Sequence, residues 1–182
     1  MLKTNEILDE KEPILHKPSK ECTFPLTKED KKAIDDIIEY LTNSQIPDLA
    51  EKYDLRPGMG MSACQVGIPK RFFVVVHEYE EGKFKTYVLC NPEIVSTSEE
   101  LIYVEEGEGC LSVNRETEGI VLRAARCTIK GFDPDGNPVE YRGREELSVC
   151  FQHELDHLNG ILFVDRIDKK NPFKGQDDYR AI

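Results

Sequence analysis

A chain of 182 residues suits one domain, 1–182, around a single core, and a composition with 39% hydrophobic and 32% charged residues is that of a globular protein in water. The formal net charge of -11 repels phosphate backbones, so direct nucleic-acid binding is not expected. The opening MLKTNEILDEKEP has no signal-peptide character, and no window is apolar enough for a membrane span, which points to the cytoplasm. The six cysteines (Cys22, Cys64, Cys90, Cys110, Cys127 and Cys150) form no C-x-x-C pair, so in a reducing compartment they read as free thiols or metal ligands.

Residues 1–26 contain Pro13, Pro18 and Pro25 and read as an extended or turning arm. Thr27 with Asp30 resembles a capping pair, and Ile34, Ile37, Ile38 and Leu41 follow at helical spacing on one face. Residues 44–57 read as an irregular, partly helical connection, and Gly58–Gly67 as a glycine-rich turn. Strand-like runs follow at Phe72–Val76, Lys85–Cys90, Leu101–Val104, Gly119–Arg123 and Arg126–Phe132. Asp133-Pro134-Asp135-Gly136 signals a turn that lets Val139–Arg142 pair back, and a last helix is predicted over about residues 144–158. Helices at the two ends with strands between them predict an α+β fold: mixed or antiparallel short-stranded sheets around a buried helix.

That helix carries His153-Glu154-Leu155-Asp156-His157. Residues i and i+4 share a helix face, so His153 and His157 can reach one metal ion. Glu154 sits about 100° round from His153, placed to touch a water beside the metal without ligating it. A solvated helix can match such a pattern by chance. However, two of the chain's four histidines fall in it, among apolar residues such as Leu147, Phe151 and Leu158, and a buried polar cluster needs partners.

A hydrolytic metal site has three protein ligands and an open position. One protease class places its third ligand, a histidine, six residues after the second; here that position is Phe163. Another uses a downstream glutamate, and none follows Glu154. The best upstream candidate is Cys110 in Glu106-Gly107-Glu108-Gly109-Cys110-Leu111-Ser112, where two glycines permit a tight, open backbone. His16 and His77 compete for the role but read as surface histidines. A third cluster, Gly58-Met59-Gly60-Met61-Ser62-Ala63-Cys64-Gln65, suits an extended edge that a ligand can approach, with Gln65 able to point an amide donor inward.

Together the three segments resemble the peptide deformylase family. Its pattern is a Gly-x-Gly-x-Ala-Ala-x-Gln loop, a Glu-Gly-Cys-Leu-Ser turn and a Gln-His-Glu-x-x-His helix. The turn is met by Glu108–Ser112 and the helix by Gln152–His157; the loop departs at Ser62, where the family usually has Ala, a change expected to act on packing behind Gln65. The 44–57 connection and the short tail resemble the type 2 bacterial branch. The resemblance implies metal ligands Cys110, His153 and His157, with Glu154 as catalytic acid and base. It implies oxyanion donors from Gln65 and the Leu111 backbone N–H, and backbone contacts to an extended peptide from Gly60 and Gly109. Cys150 would line a methionine pocket. It further implies one divalent metal, ferrous iron in the cell with zinc, nickel or cobalt able to replace it. The substrate would be an N-formylmethionyl peptide or nascent chain, met near the ribosome. The rival readings are a metallopeptidase cutting peptide bonds and a non-catalytic structural zinc site, the latter usually closed by four protein ligands.

Overall fold

A computed structural model describes residues 2–182. Helix α1 (Lys28–Ser44) starts where the capping pair predicts: the Thr27 side chain accepts from the Asp30 N–H, and Asp30 answers at the Thr27 N–H. The 44–57 connection contains helix α2 (Pro47–Tyr53), opened by a proline in the first turn. Strand β1 (Gly60–Ser62) runs into a single 3-10 turn, Ala63–Val66. Then come β2 (Phe72–Glu80), β3 (Lys83–Thr97), β4 (Leu101–Tyr103), β5 (Arg123–Ala124), β6 (Arg126–Phe132) and β7 (Pro138–Arg144). Helix α3 (Glu146–Leu158), the short α4 (Phe163–Arg166) and β8 (Arg180–Ala181) complete the order.

Strands β1-β2-β3-β6-β7 form an antiparallel sheet, and β5-β4-β8 a smaller one in which β4 and β8 run parallel. The continuous apolar run Phe72–Val76 marks β2 as buried on both sides, since alternate residues of a strand point to opposite faces. Phe72, Val74 and Val76 pack with Ile34, Ile37, Tyr40 and Leu41 of α1. Phe73 and Val75 pack with Leu147, Cys150, Phe151 and Leu158 of α3. The sheet is thus held between the two long helices, and α3 is the one buried over most of its surface.

One expected strand is shorter than its sequence suggests. Of Gly119–Arg123, only Arg123 is in a strand, β5, with Ala124. The residues before it have no strand to pair with; Ile120 N–H instead bonds the Pro172 carbonyl, so this run packs under the C-terminal tail.

Candidate metal centre and active site

Three segments converge on one cavity of about 380 Å³: the Gly58–Gln65 stretch, the turn before and through Cys110, and α3. The ligand atoms of Cys110, His153 and His157 lie within 4.8 Å of one another. The Cys110 Sγ is 3.3 Å from His157 Nε2, and the two imidazole rings are 5.0 Å apart. Phe163, the residue where a protease would have its third histidine, stacks on His153 at 6.0 Å. His16 is exposed and bonds the Glu10 carbonyl; His77 is half-buried on β2, and neither joins the cluster.

The donor set fits a divalent transition metal, one thiolate and two imidazoles. The electrostatics agree. Burial pulls His153 toward its neutral form, yet the Cys110 sulfur and the Glu108 carboxylate hold its pKa well above the ordinary value, so this nitrogen sits where positive charge is wanted. Burial, with the His153 charge, pushes His157 well below the histidine range, which leaves it a neutral donor. Its Nδ1 has no hydrogen-bond partner among the described residues.

Behind His153 runs a buried chain of charges that sequence reasoning missed. His153 Nδ1 lies 2.8 Å from Glu108, which directs Nε2 toward the cluster. Arg123 donates to both Glu108 oxygens at 2.7 and 3.0 Å and to Asp156 at 2.6 Å. Arg166 reaches Asp156 from outside at 2.6 Å. Burial pushes the Glu108 carboxyl up, but His153 and Arg123 overrule it and hold it at about 2. Gln152 faces the other way and bonds the Ala124 backbone. The available signal was the acidic residue two positions before the candidate ligand, inside the matched turn.

Glu154 is buried beside the cluster, and burial is the main reason its pKa rises to about 6, against the His153 charge and a hydrogen bond from Ser62. That bond refines the expectation for Ser62. Besides supporting Gln65, whose Oε1 accepts from Ser62 N–H at 2.8 Å, its hydroxyl donates to Glu154 Oε2 at 2.7 Å. Gly60 permits this approach: a Cβ there would lie 2.5 Å from Glu154 Oε1 and 2.8 Å from Cys150 Sγ. Gln65 Nε2 donates to Ser112 at 3.0 Å and faces Cys110 Sγ at 3.7 Å. The Leu111 N–H donates to no acceptor among the described residues, and Leu111, Gly109 and Cys150 all line the cavity.

The sequence profile of the family described as Polypeptide deformylase matches residues 4–173. The chain belongs to this family. It is 47% identical to the peptide deformylase of Shouchella clausii, over 96% of each chain. It is 43% identical to peptide deformylase 2 of Bacillus subtilis, over 100% of this chain and 99% of the relative. Among solved structures it resembles the Thermotoga maritima peptide deformylase (TM-score 0.69, 34% identity, 89% of this chain and 96% of that one). The Arabidopsis thaliana peptide deformylase 1B is similar at TM-score 0.74 and 28% identity, covering 90% and 82%. A deformylase is a hydrolase that removes the N-formyl group from nascent peptides, and that is the activity of this chain. The family and the Cys-His-His cluster together indicate a single bound metal ion. Among the described residues no helix is long and apolar enough to cross a membrane.

Proposed function

We propose that Cys110, His153 and His157 hold the metal, with Glu154 as general base and acid and with Gln65 and the Leu111 N–H as oxyanion donors. The observation that carries this is the convergence of the three ligand atoms within 4.8 Å, beside a cavity lined by Cys110, His153 and the buried Glu154. A divalent ion there supplies Lewis-acid polarisation of the formyl group and raises the acidity of nearby water. The remaining work falls to the chain. Glu154, held by Ser62, accepts a proton as water attacks the formyl carbon and delivers it to the departing amine. Its pKa of about 6 suits both directions of transfer near neutral pH. Negative charge growing on the formyl oxygen is met by Gln65 Nε2 and the Leu111 N–H; one such donor is typically worth about 3–4 kcal/mol.

The Gly60 and Gly109 backbones border the cavity where an extended peptide lies, and Cys150 lines the pocket for the methionine side chain. The metal is ferrous iron in the cell, with zinc, nickel or cobalt as replacements that the same soft donor set accepts. The substrate is an N-formylmethionyl peptide or nascent chain, met in the cytoplasm near the ribosome, and residues 1–182 act as one catalytic domain.

Incubation with a formyl-methionyl peptide should release formate, and a chelator should stop it. Glu154→Ala should retain metal and lose turnover by about 10²–10⁴, whereas Cys110→Ala should lose metal. Cleavage of an unformylated peptide without formate would overturn the assignment.

A further inference from the structure

Arg56 stands at the rim of the cavity, just ahead of the Gly58–Gln65 stretch. Its backbone is fixed from both sides: Tyr40 OH donates to the Arg56 carbonyl at 3.1 Å, and the Arg56 N–H donates to Thr4 Oγ1 at 3.3 Å. Its guanidinium is then spent entirely on the turn that carries Cys110. Nη2 donates to the Cys110 carbonyl at 3.1 Å and to the Val113 carbonyl at 3.4 Å. Nη1 donates to the Leu111 carbonyl at 3.4 Å and to Asn114 Oδ1. None of these acceptors is a carboxylate. In a chain of net charge -11, this cation is committed to neutral oxygens, three of them backbone carbonyls and one the Asn114 side-chain amide.

The Cys110 carbonyl and the Leu111 N–H are the two ends of one planar peptide unit, pointing in opposite directions. A guanidinium on the carbonyl end fixes the orientation of that plane. It also polarises the amide, making the N–H end more positive, because hydrogen bonds in series through one peptide strengthen one another. The free end of this unit is the N–H that donates to no acceptor among the described residues.

We propose that Arg56 is a positioning residue for the deformylation reaction, acting through the Cys110–Leu111 peptide to aim and strengthen the Leu111 N–H toward the developing oxyanion. This inference rests on the oxyanion role given to that N–H above. An interaction realised only as charge develops changes kcat and leaves ground-state binding alone. Losing an entire oxyanion donor costs about 10²–10³ in kcat, so weakening one should cost about tenfold.

The test compares metal-loaded wild type with Arg56→Ala and Arg56→Lys on a formyl-methionyl peptide, recording kcat, KM, metal content and the amide proton shift of Leu111 in protein labelled with 15N-leucine. The expected result is kcat about tenfold lower with KM within about twofold and metal retained. The Leu111 amide proton should move upfield. Free guanidinium at millimolar concentration should restore part of the rate to Arg56→Ala, and Arg56→Lys should stay impaired because an ammonium lacks the planar fork. If Arg56→Ala does not fold, Arg56→Lys carries the same comparison. Unchanged kcat, a rise in KM alone, or a fall in kcat that tracks metal loss would each overturn the proposal. The middle outcome would make Arg56 a peptide-binding cation and the last a prop for the ligand turn. Wild-type protein that releases no formate would overturn the functional reading instead, and the Leu111 shift would still decide whether Arg56 polarises that peptide.

Discussion

Helices α1 and α3 lie against opposite faces of β2, and they differ in what they bury. α1 puts Ile34, Ile37, Tyr40 and Leu41 inward and leaves most of its charged residues in water, Asp30 at its capped start excepted, so apolar packing accounts for most of it. α3 buries apolar residues too, but also Ser148, His153, Glu154, Asp156 and His157. Burying polar and charged groups costs several kcal/mol unless each finds a partner. Those partners come from elsewhere in the chain: Ser62 for Glu154, Glu108 for His153, Arg123 for Asp156. α1 is specified mostly by its own periodicity, whereas α3 is specified by what the rest of the fold brings to it.

Substitutions on the two sides should separate these roles. Arg123→Met should have the largest effect on the α3 side, because it removes the cation shared by Glu108 and Asp156 and leaves them only His153 and Arg166 as charged partners. Breaking such a buried network costs about 3–5 kcal/mol, and a loosened Glu108 behind His153, a proposed metal ligand, should weaken metal affinity by up to about 10–100-fold. Thermal melts and chelator competition would register both. Ile37→Ala, from a fully buried position on α1, should cost about 2–5 kcal/mol yet leave kcat per folded molecule unchanged. A matching loss of kcat would erase the distinction between the helices. Gly60→Ala forces a Cβ against Glu154 and Cys150 and should cost about 1–3 kcal/mol through overpacking, with kcat falling while metal stays bound.

The smallest effect concerns the start of α1. Burial raises the Asp30 pKa, but the bonds from Lys70 and Thr27 outweigh it and leave the carboxyl below the ordinary aspartate value. A depressed folded value stabilises the protein above the unfolded carboxylate range, and that contribution is lost as pH falls through the folded value. Lys70→Met should therefore cost under about 1 kcal/mol at pH 7, and its gap from wild type in denaturant melts should close as the solution is acidified below about pH 4.

What the sequence disclosed follows the same division. The Thr27–Asp30 cap, the β2 run and the His153–His157 spacing are local patterns, and each lies where its spacing puts it. Elimination along the chain, read beside a known family's motifs, suggested Cys110, and the fold brings its sulfur within 4.8 Å of the ligand nitrogens of His153 and His157. The charges behind His153 stayed hidden because residues 108, 123, 156 and 166 share no period; only the tertiary fold brings them together. Ser62 looked like a packing change because a single hydroxyl carries no pattern that names its partner. Gly119–Arg123 read as a strand on its composition, but a strand also needs a neighbour, and most of this run has none.

The N-terminal arm draws these distant pieces together. Its Leu8 N–H bonds the Gln65 carbonyl, its Glu10 N–H bonds the Ser112 carbonyl, and its Ser19 N–H bonds the Leu158 carbonyl at the end of α3. Residues 8–19 are made well before these partners and wait for them. Glu10 has nothing to hold until Ser112 exists, and Ser19 nothing until Leu158 does. Contacts this remote in sequence form late, after the entropy of closing long loops has been met. Residues 8–19 therefore settle late, and their docking latches the turns of Gln65 and Ser112 at once.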